Sequence, residues 1–186
     1  MKKIKFPVDK KKWSPSLIPG AIVLITSINA ENQINIAPKS WIQMVSFEPP
    51  VLMFSGTKGN TTENNILQNE NFCVNFIDAT ISSKVFQCIK YKGKERIDFL
   101  EFSFSKSEMI DAPQIDQCKA NIECKLYNTQ KVGSGFVIFG EMVYASIWDE
   151  LMRAERAKKY ELLDQIVFLE NSVYGKFNQI RVLDLK

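Results

Sequence analysis

The fold of this chain turns on residues 35–55, NIAPKSWIQMVSFEPPVLMFS. Two apolar runs, IQMVSF and VLMFS, flank Glu48-Pro49-Pro50 and read as consecutive β-strands, the second buried on both faces. Ahead of them, NIAPKSW separates a short strand from IQMVSF. A tight hairpin needs two residues, usually with Gly or Asn. This segment instead carries a proline, a lysine, a serine and a tryptophan. Pro38 fixes its own φ, lacks an N–H and drives Ala37 toward an extended conformation. The amides of Lys39, Ser40 and Trp41 can then face one side, toward ring carbonyls or ring nitrogens, and small Ala37 leaves room for a flat ligand. The competing reading is an irregular β-connection with Trp41 in the core.

Working outward, GAIVLITSIN (20–29) is β-branched, bounded by Pro19-Gly20 and AENQ, and forms a hairpin with INIA. FCVNFI (72–77) is a further strand. ANIECKLYN (120–128) and GFVIFGEMVYASI (135–147) make a long hairpin across TQKVGS. An amphipathic helix is expected around 79–91, with Ile81, Val85, Cys88 and Ile89 on one face. A charged helical stretch is expected around 149–165, and residues 92–117 receive no assignment. Strands joined by short connections point to a mainly β (α+β) chain: an antiparallel barrel of Greek-key type with flanking helices. No GxGxxG follows the first strand, so the dinucleotide-binding fingerprint is missing.

A second chemistry-bearing segment is SGTKGNTTENNI, residues 55–66. Asn60 is a good N-cap and Glu63 lies three residues on, the pattern of a capping box. The first amides of such a helix have no internal partner and the macrodipole is positive there, so a phosphate is favoured. Thr57, Thr61 and Thr62 add hydroxyls, Lys58 adds a charge, and Gly56 and Gly59 allow close backbone approach. The plainer reading is a capped helix after a loop. Together the two segments offer a phosphate end and a flat-ring end, which describes a mononucleotide with a large heteroaromatic ring. Lys39 is read as an exposed lysine, whose removal should cost under ~1 kcal/mol of affinity.

Bulk properties exclude several classes. The 186 residues, 45% hydrophobic and 24% charged, suit one soluble domain. The net charge is +3, but residues 1–12 hold six Lys against one Asp, which leaves the other 174 at −2. The surplus sits in a basic arm, residues 1–14, so the body lacks a nucleic-acid patch. The arm is not read as a secretory signal, because DKKKWSP separates it from the apolar run. No stretch reaches the ~20 apolar residues of a membrane span. Histidine is absent, which removes any catalyst needing imidazole. The four cysteines have no Cys-x-x-Cys spacing, which argues against a zinc site and for reduced, buried thiols in a cytoplasmic protein.

The chain resembles the flavin reductase-like proteins with an FMN-binding split barrel, flavoredoxin among them. The resemblance rests on PGAIVLITS, NIAPKSWIQMVSFEPPVLMFS, TTENNI, NFCVNFI, ANIECKL, GFVIFGEMV and, more faintly, SVYGKF with Tyr174. These pieces come in the family's order over roughly residues 19–177. The resemblance implies a single antiparallel split-barrel domain over residues 15–186. It also implies a homodimer with non-covalent FMN near the subunit interface. Asn35, Ala37, Pro38, Lys39, Ser40 and Trp41 would line the ring and ribityl side. Ser55, Thr57, Lys58, Thr61, Thr62 and Asn65 would line the phosphate. The implied activity is FMN-dependent oxidoreduction, with NADH or NADPH as electron source and no catalytic side chain or metal required. Many relatives carry a histidine near the nicotinamide pocket and this chain has none, so the alternative is an FMN electron carrier serving a redox partner protein.

Overall fold

The computed structural model describes residues 1–6, 17–170 and 173–182. The largest sheet is seven-stranded and antiparallel, built from β2 (Val23–Ile28), β3 (Ile34–Lys39), β4 (Ile42–Phe47), β5 (Pro50–Gly56), β6 (Asn71–Phe76), β9 (Ala120–Val132) and β10 (Gly135–Ile147). Their order is β3-β2-β6-β9-β10-β5-β4. Strands β3 and β4 therefore lie at opposite edges, yet Ser40 and Trp41 alone connect them. Three Cα steps of 3.8 Å reach roughly 11 Å at most, so the sheet must curl until its edges meet. The amide of Ser55 donates to the Trp41 carbonyl at 3.0 Å, which carries the β4–β5 ladder up to that corner. The result is a barrel with no ladder between β3 and β4.

The segment NIAPKSW departs from its expected form. It is not a connection between strands: residues 35–39 belong to β3, with Pro38 opposite Leu24. Proline is tolerated because β3 is an edge strand. Strand β2 is buried along its whole length, and its pleat divides the core in two. Val23 and Ile25 point into the barrel with Leu52, Phe54, Phe72, Val74 and Ile138. Leu24, with Ile22 before the strand, packs on the other side against Val85, Cys88, Leu100 and Ile166. Inside the barrel Phe54 meets Phe72 edge-on, with centroids 5.3 Å apart. The β9–β10 hairpin runs further than its sequence suggests, closing on Gly133-Ser134. Gly133 has φ 57°, and a glycine in the first of two turn positions fits a type II′ turn.

The helices cover the outer core. Helix α1 (Thr61–Asn69) begins at Asn60 as expected, but the Asn60 side chain makes no cap bond. The capping box does not form, because Glu63 turns inward to Lys39 instead. Helix α2 (Ala79–Gln87) is capped by Asp78 and continues as a 3-10 turn, Cys88–Lys90. Of its expected apolar face, Val85 and Cys88 are buried and Ile81 packs beside them, while Ile89 is exposed. Within the unassigned residues 92–117 lie α3 (Gly93–Leu100) and the small pair β7 (Phe104–Ser105) and β8 (Gln114–Ile115). The single charged helix expected around 149–165 is two helices, α4 (Asp149–Arg153) and α5 (Arg156–Leu163), parted by an extended Ala154. The apolar tail forms β11 (Ile166–Glu170) and β12 (Val173–Lys176), which make a second sheet with β1 (Gly20–Ala21). Of the basic arm, residues 1–6 are exposed and residues 7–14 lie outside the described residues. Among the described residues no helix is long and apolar enough to cross a membrane.

Candidate functional site

A cavity of about 570 Å³ opens where β3, the start of α1 and the α2–α3 corner converge. This lies within the usual range for small-molecule sites. One wall is the β3 segment, with Asn35, Ala37, Pro38, Lys39 and Ser40; the next is the turn Gly59–Glu63 that opens α1. The uncapped first turn leaves its leading amides without an intrahelical partner. The far end is apolar, formed by Ile22, Val85, Phe86, Ile89 and Phe168. Phe86 is backed by Tyr174, stacked at 4.4 Å.

Buried polar bonds fix these walls to one another. Ser27 and Asn35 are register partners on β2 and β3. Asn35 Nδ2 donates to Thr62 Oγ1 at 2.9 Å and to Ser27 Oγ at 3.4 Å, and Asn65 Nδ2 donates to the same Ser27 Oγ at 3.3 Å. Asn69 Nδ2 donates to the Ile28 carbonyl at 2.7 Å. Helix α1 is thereby locked onto the β2–β3 hairpin from its first turn to its last residue.

Lys39 is not the exposed lysine its sequence suggested. Its side chain is 12% exposed, and its Nζ lies 2.5 Å from Oε1 of the fully buried Glu63 and 5.4 Å from the centre of the Phe54 ring. Gly56 makes this pair fit: a Cβ there would fall 1.8 Å from Glu63 Oε1 and 2.8 Å from Lys39 Nζ.

The two sequence segments thus meet in one cavity, although not all their members face it. Asn35, Ala37, Pro38, Lys39, Ser40, Thr61 and Thr62 line it. Asn65 lies beneath, bonded to Ser27. Trp41 is exposed beyond the β3–β4 corner, Thr57 and Lys58 are exposed on the loop before α1, and Ser55 sits at the end of β5. Sequence reading missed Glu63 as a wall residue, since its spacing from Asn60 suggested a cap. It also missed Lys92, Gly93 and Arg96, which line the cavity from the unassigned stretch. Arg96 Nε donates to the carbonyls of Cys88 (3.1 Å) and Tyr91 (3.0 Å), and Nη1 donates to that of Ile36 (2.8 Å). It pins the α2–α3 corner to β3. The signal available was the basic cluster KGKER, which carries no strand or helix period.

Lys39, Lys92 and Arg96 stand against one carboxylate, Glu63, so the cavity is biased toward an anion, beside an apolar end. Among the described residues no group of His, Cys, Asp and Glu could hold a metal ion.

Comparisons with known proteins bear on the family and the fold. Residues 16–162 match the family described as flavin reductase like domain. The chain is 29% identical over 119 residues to HsaB, the reductase subunit of a flavin-dependent monooxygenase of Mycobacterium tuberculosis, a match spanning 64% of this chain and 61% of that one. Flavoredoxin of Desulfovibrio vulgaris (Miyazaki F) superposes with a TM-score of 0.82 at 16% identity, covering 98% of each chain. An FMN-binding protein from Thermus thermophilus, solved with p-hydroxybenzaldehyde, gives 0.79 at 16% identity over 98% of this chain and 99% of that one. The two structural likenesses are of fold. The antiparallel split barrel with flanking helices, expected from sequence, is the architecture found.

Proposed function

The chain belongs to the flavin reductase-like domain family, and on that premise we propose that it is an FMN-binding oxidoreductase passing electrons from NADH or NADPH to an acceptor. The observation that carries this reading is the single cavity joining the open start of α1 to the Ala37–Ser40 edge of β3. The amides and the Thr61 and Thr62 hydroxyls at the helix start would hold the phosphate, favoured there by the macrodipole. Lys58, on the loop just ahead, would add a point charge. The Lys39 and Ser40 amides would bond the ring edge, and small Ala37 would leave space for its face. Phe86 and Phe168 would exclude water from the apolar end. When bound, the flavin supplies hydride uptake and electron release; the protein contributes grip and orientation.

The reading includes a homodimer with the flavin near its interface. It is supported by the exposed apolar residues Trp41, Met44, Val45 and Phe47, which follow the cavity wall along β4. Sedimentation at micromolar concentration should give a dimer mass. The absence of histidine favours a second reading, an electron carrier that reduced nicotinamides do not reduce.

Anaerobic reduction of the purified protein tests both. A yellow protein bleached by NADH or NADPH is the expected result. One bleached by dithionite but by neither nicotinamide is the carrier. A colourless protein that takes up no added FMN refutes flavin binding.

A further inference from the structure

Glu63 is fully buried, and Lys39 reaches one of its oxygens. The other, Oε2, is the buried side-chain polar atom without a partner among the described residues. A buried acceptor left unpaired is costly, more so when charged, so this oxygen marks a missing donor. Glu63 is among the residues lining the cavity, its side chain has no exposed surface, and the terminal torsion of a glutamate is soft, so Oε2 meets a ligand there by a turn of the carboxylate. Its place in the wall is specific. It follows Thr62 in the first turn of α1, where the phosphate is expected, and is tied to Lys39 on the strand that faces the ring.

We infer that Glu63 Oε2 accepts a hydrogen bond from a hydroxyl of the flavin's ribityl chain, which makes Glu63 a specificity-determining residue for flavins that carry that chain. The inference rests on the flavin reading above. The Lys39 ammonium offsets the carboxylate's charge, so an acid is tolerated one residue from the phosphate position. Gly56 keeps the pair in place, since any side chain there collides with it.

The test is a set of dissociation constants for FMN, riboflavin and lumiflavin, which lacks the ribityl chain, read by fluorescence quenching. Wild type is compared with Glu63→Gln. Charge-assisted bonds are roughly twice as strong as neutral ones, so the variant should bind FMN and riboflavin about fivefold more weakly and lumiflavin unchanged. Gly56→Ala keeps the charge but displaces the carboxylate, and should shift the three constants in the same pattern if Glu63→Gln fails to fold. Unchanged riboflavin affinity with tighter FMN binding would show simple repulsion of the phosphate and overturn the inference. An equal loss for lumiflavin would place the bond on the ring and overturn it too. Wild-type protein that binds none of the three would instead remove the flavin reading from which this inference starts.

Discussion

At the scale of single residues, Lys39 and Thr62 carry the sharpest consequences. Lys39 is paired with a fully buried glutamate. Its removal therefore acts first on stability: Lys39→Met should cost about 3–5 kcal/mol, because it strands a buried charge. Replacing both partners, as Lys39→Met with Glu63→Leu, should recover most of that loss, since an apolar pair of similar volume is often neutral. Denaturant midpoints of the two variants check the contrast; equal losses would mean that the pair is not what holds β3 to α1. Thr62→Glu puts a negative charge into the first turn of α1. It should weaken FMN by at least tenfold, about 1.4 kcal/mol, with a smaller effect on riboflavin. Titration of the folded variant with both ligands decides this, and unchanged FMN affinity would place the phosphate elsewhere.

At the scale of elements, the cavity depends on how helices are fastened to the barrel. Helix α1 is held by the buried cluster of Ser27, Asn35, Thr62 and Asn65. Helix α2 is held by Asp78, which accepts from Thr80 N at 2.9 Å and pairs with Lys119 at 2.8 Å. Burial alone would raise the Asp78 carboxyl, but bonds from Lys119 and Thr80 outweigh it and hold it below the usual carboxylate range. Its contribution is therefore complete above the ordinary aspartate value of about 3.9 and is lost as pH falls through the lower folded value. Asp78→Asn should flatten that part of the acid unfolding profile. Asp78→Ala should cost about 1–2 kcal/mol as a lost cap, read as a lower melting temperature. Of the two N-cap positions only Asn60 was read from the sequence, and the chemistry differed: Asp78 caps, whereas Asn60 leaves its helix start open. The deciding factor is what lies opposite each helix, Lys119 in one case and the cavity in the other.

At the scale of the molecule, four free thiols are buried. Burial pushes Cys118 up to about 12 and raises Cys73, Cys88 and Cys124. Below the ordinary thiol value of about 8.5 these groups are neutral in both states. As pH rises from there toward the folded values, the unfolded chain ionises first and stability falls. The native protein should be inert to a thiol reagent at pH 7, and all four thiols should react after unfolding. Rapid native reaction would contradict the burial. Redox work by the proposed flavin should survive treatment of the native protein with that reagent, because the thiols are buried.

The β-rich class, the positions of the main strands along the chain and the two segments that line the cavity were set locally, by alternation, turn residues and helix-start chemistry. Those signals are short-range, and a single chain displays them. The identity of the cavity wall was not local. That Pro38 lies in an edge strand, that Glu63 turns from a cap toward Lys39, and that Arg96 of α3 reaches the Ile36 carbonyl of β3 all depend on contacts between distant parts of the chain. Closure is forced when a two-residue link joins strands at opposite edges of a seven-stranded sheet. No window of sequence contains that constraint, because it depends on which strands pair across the whole chain.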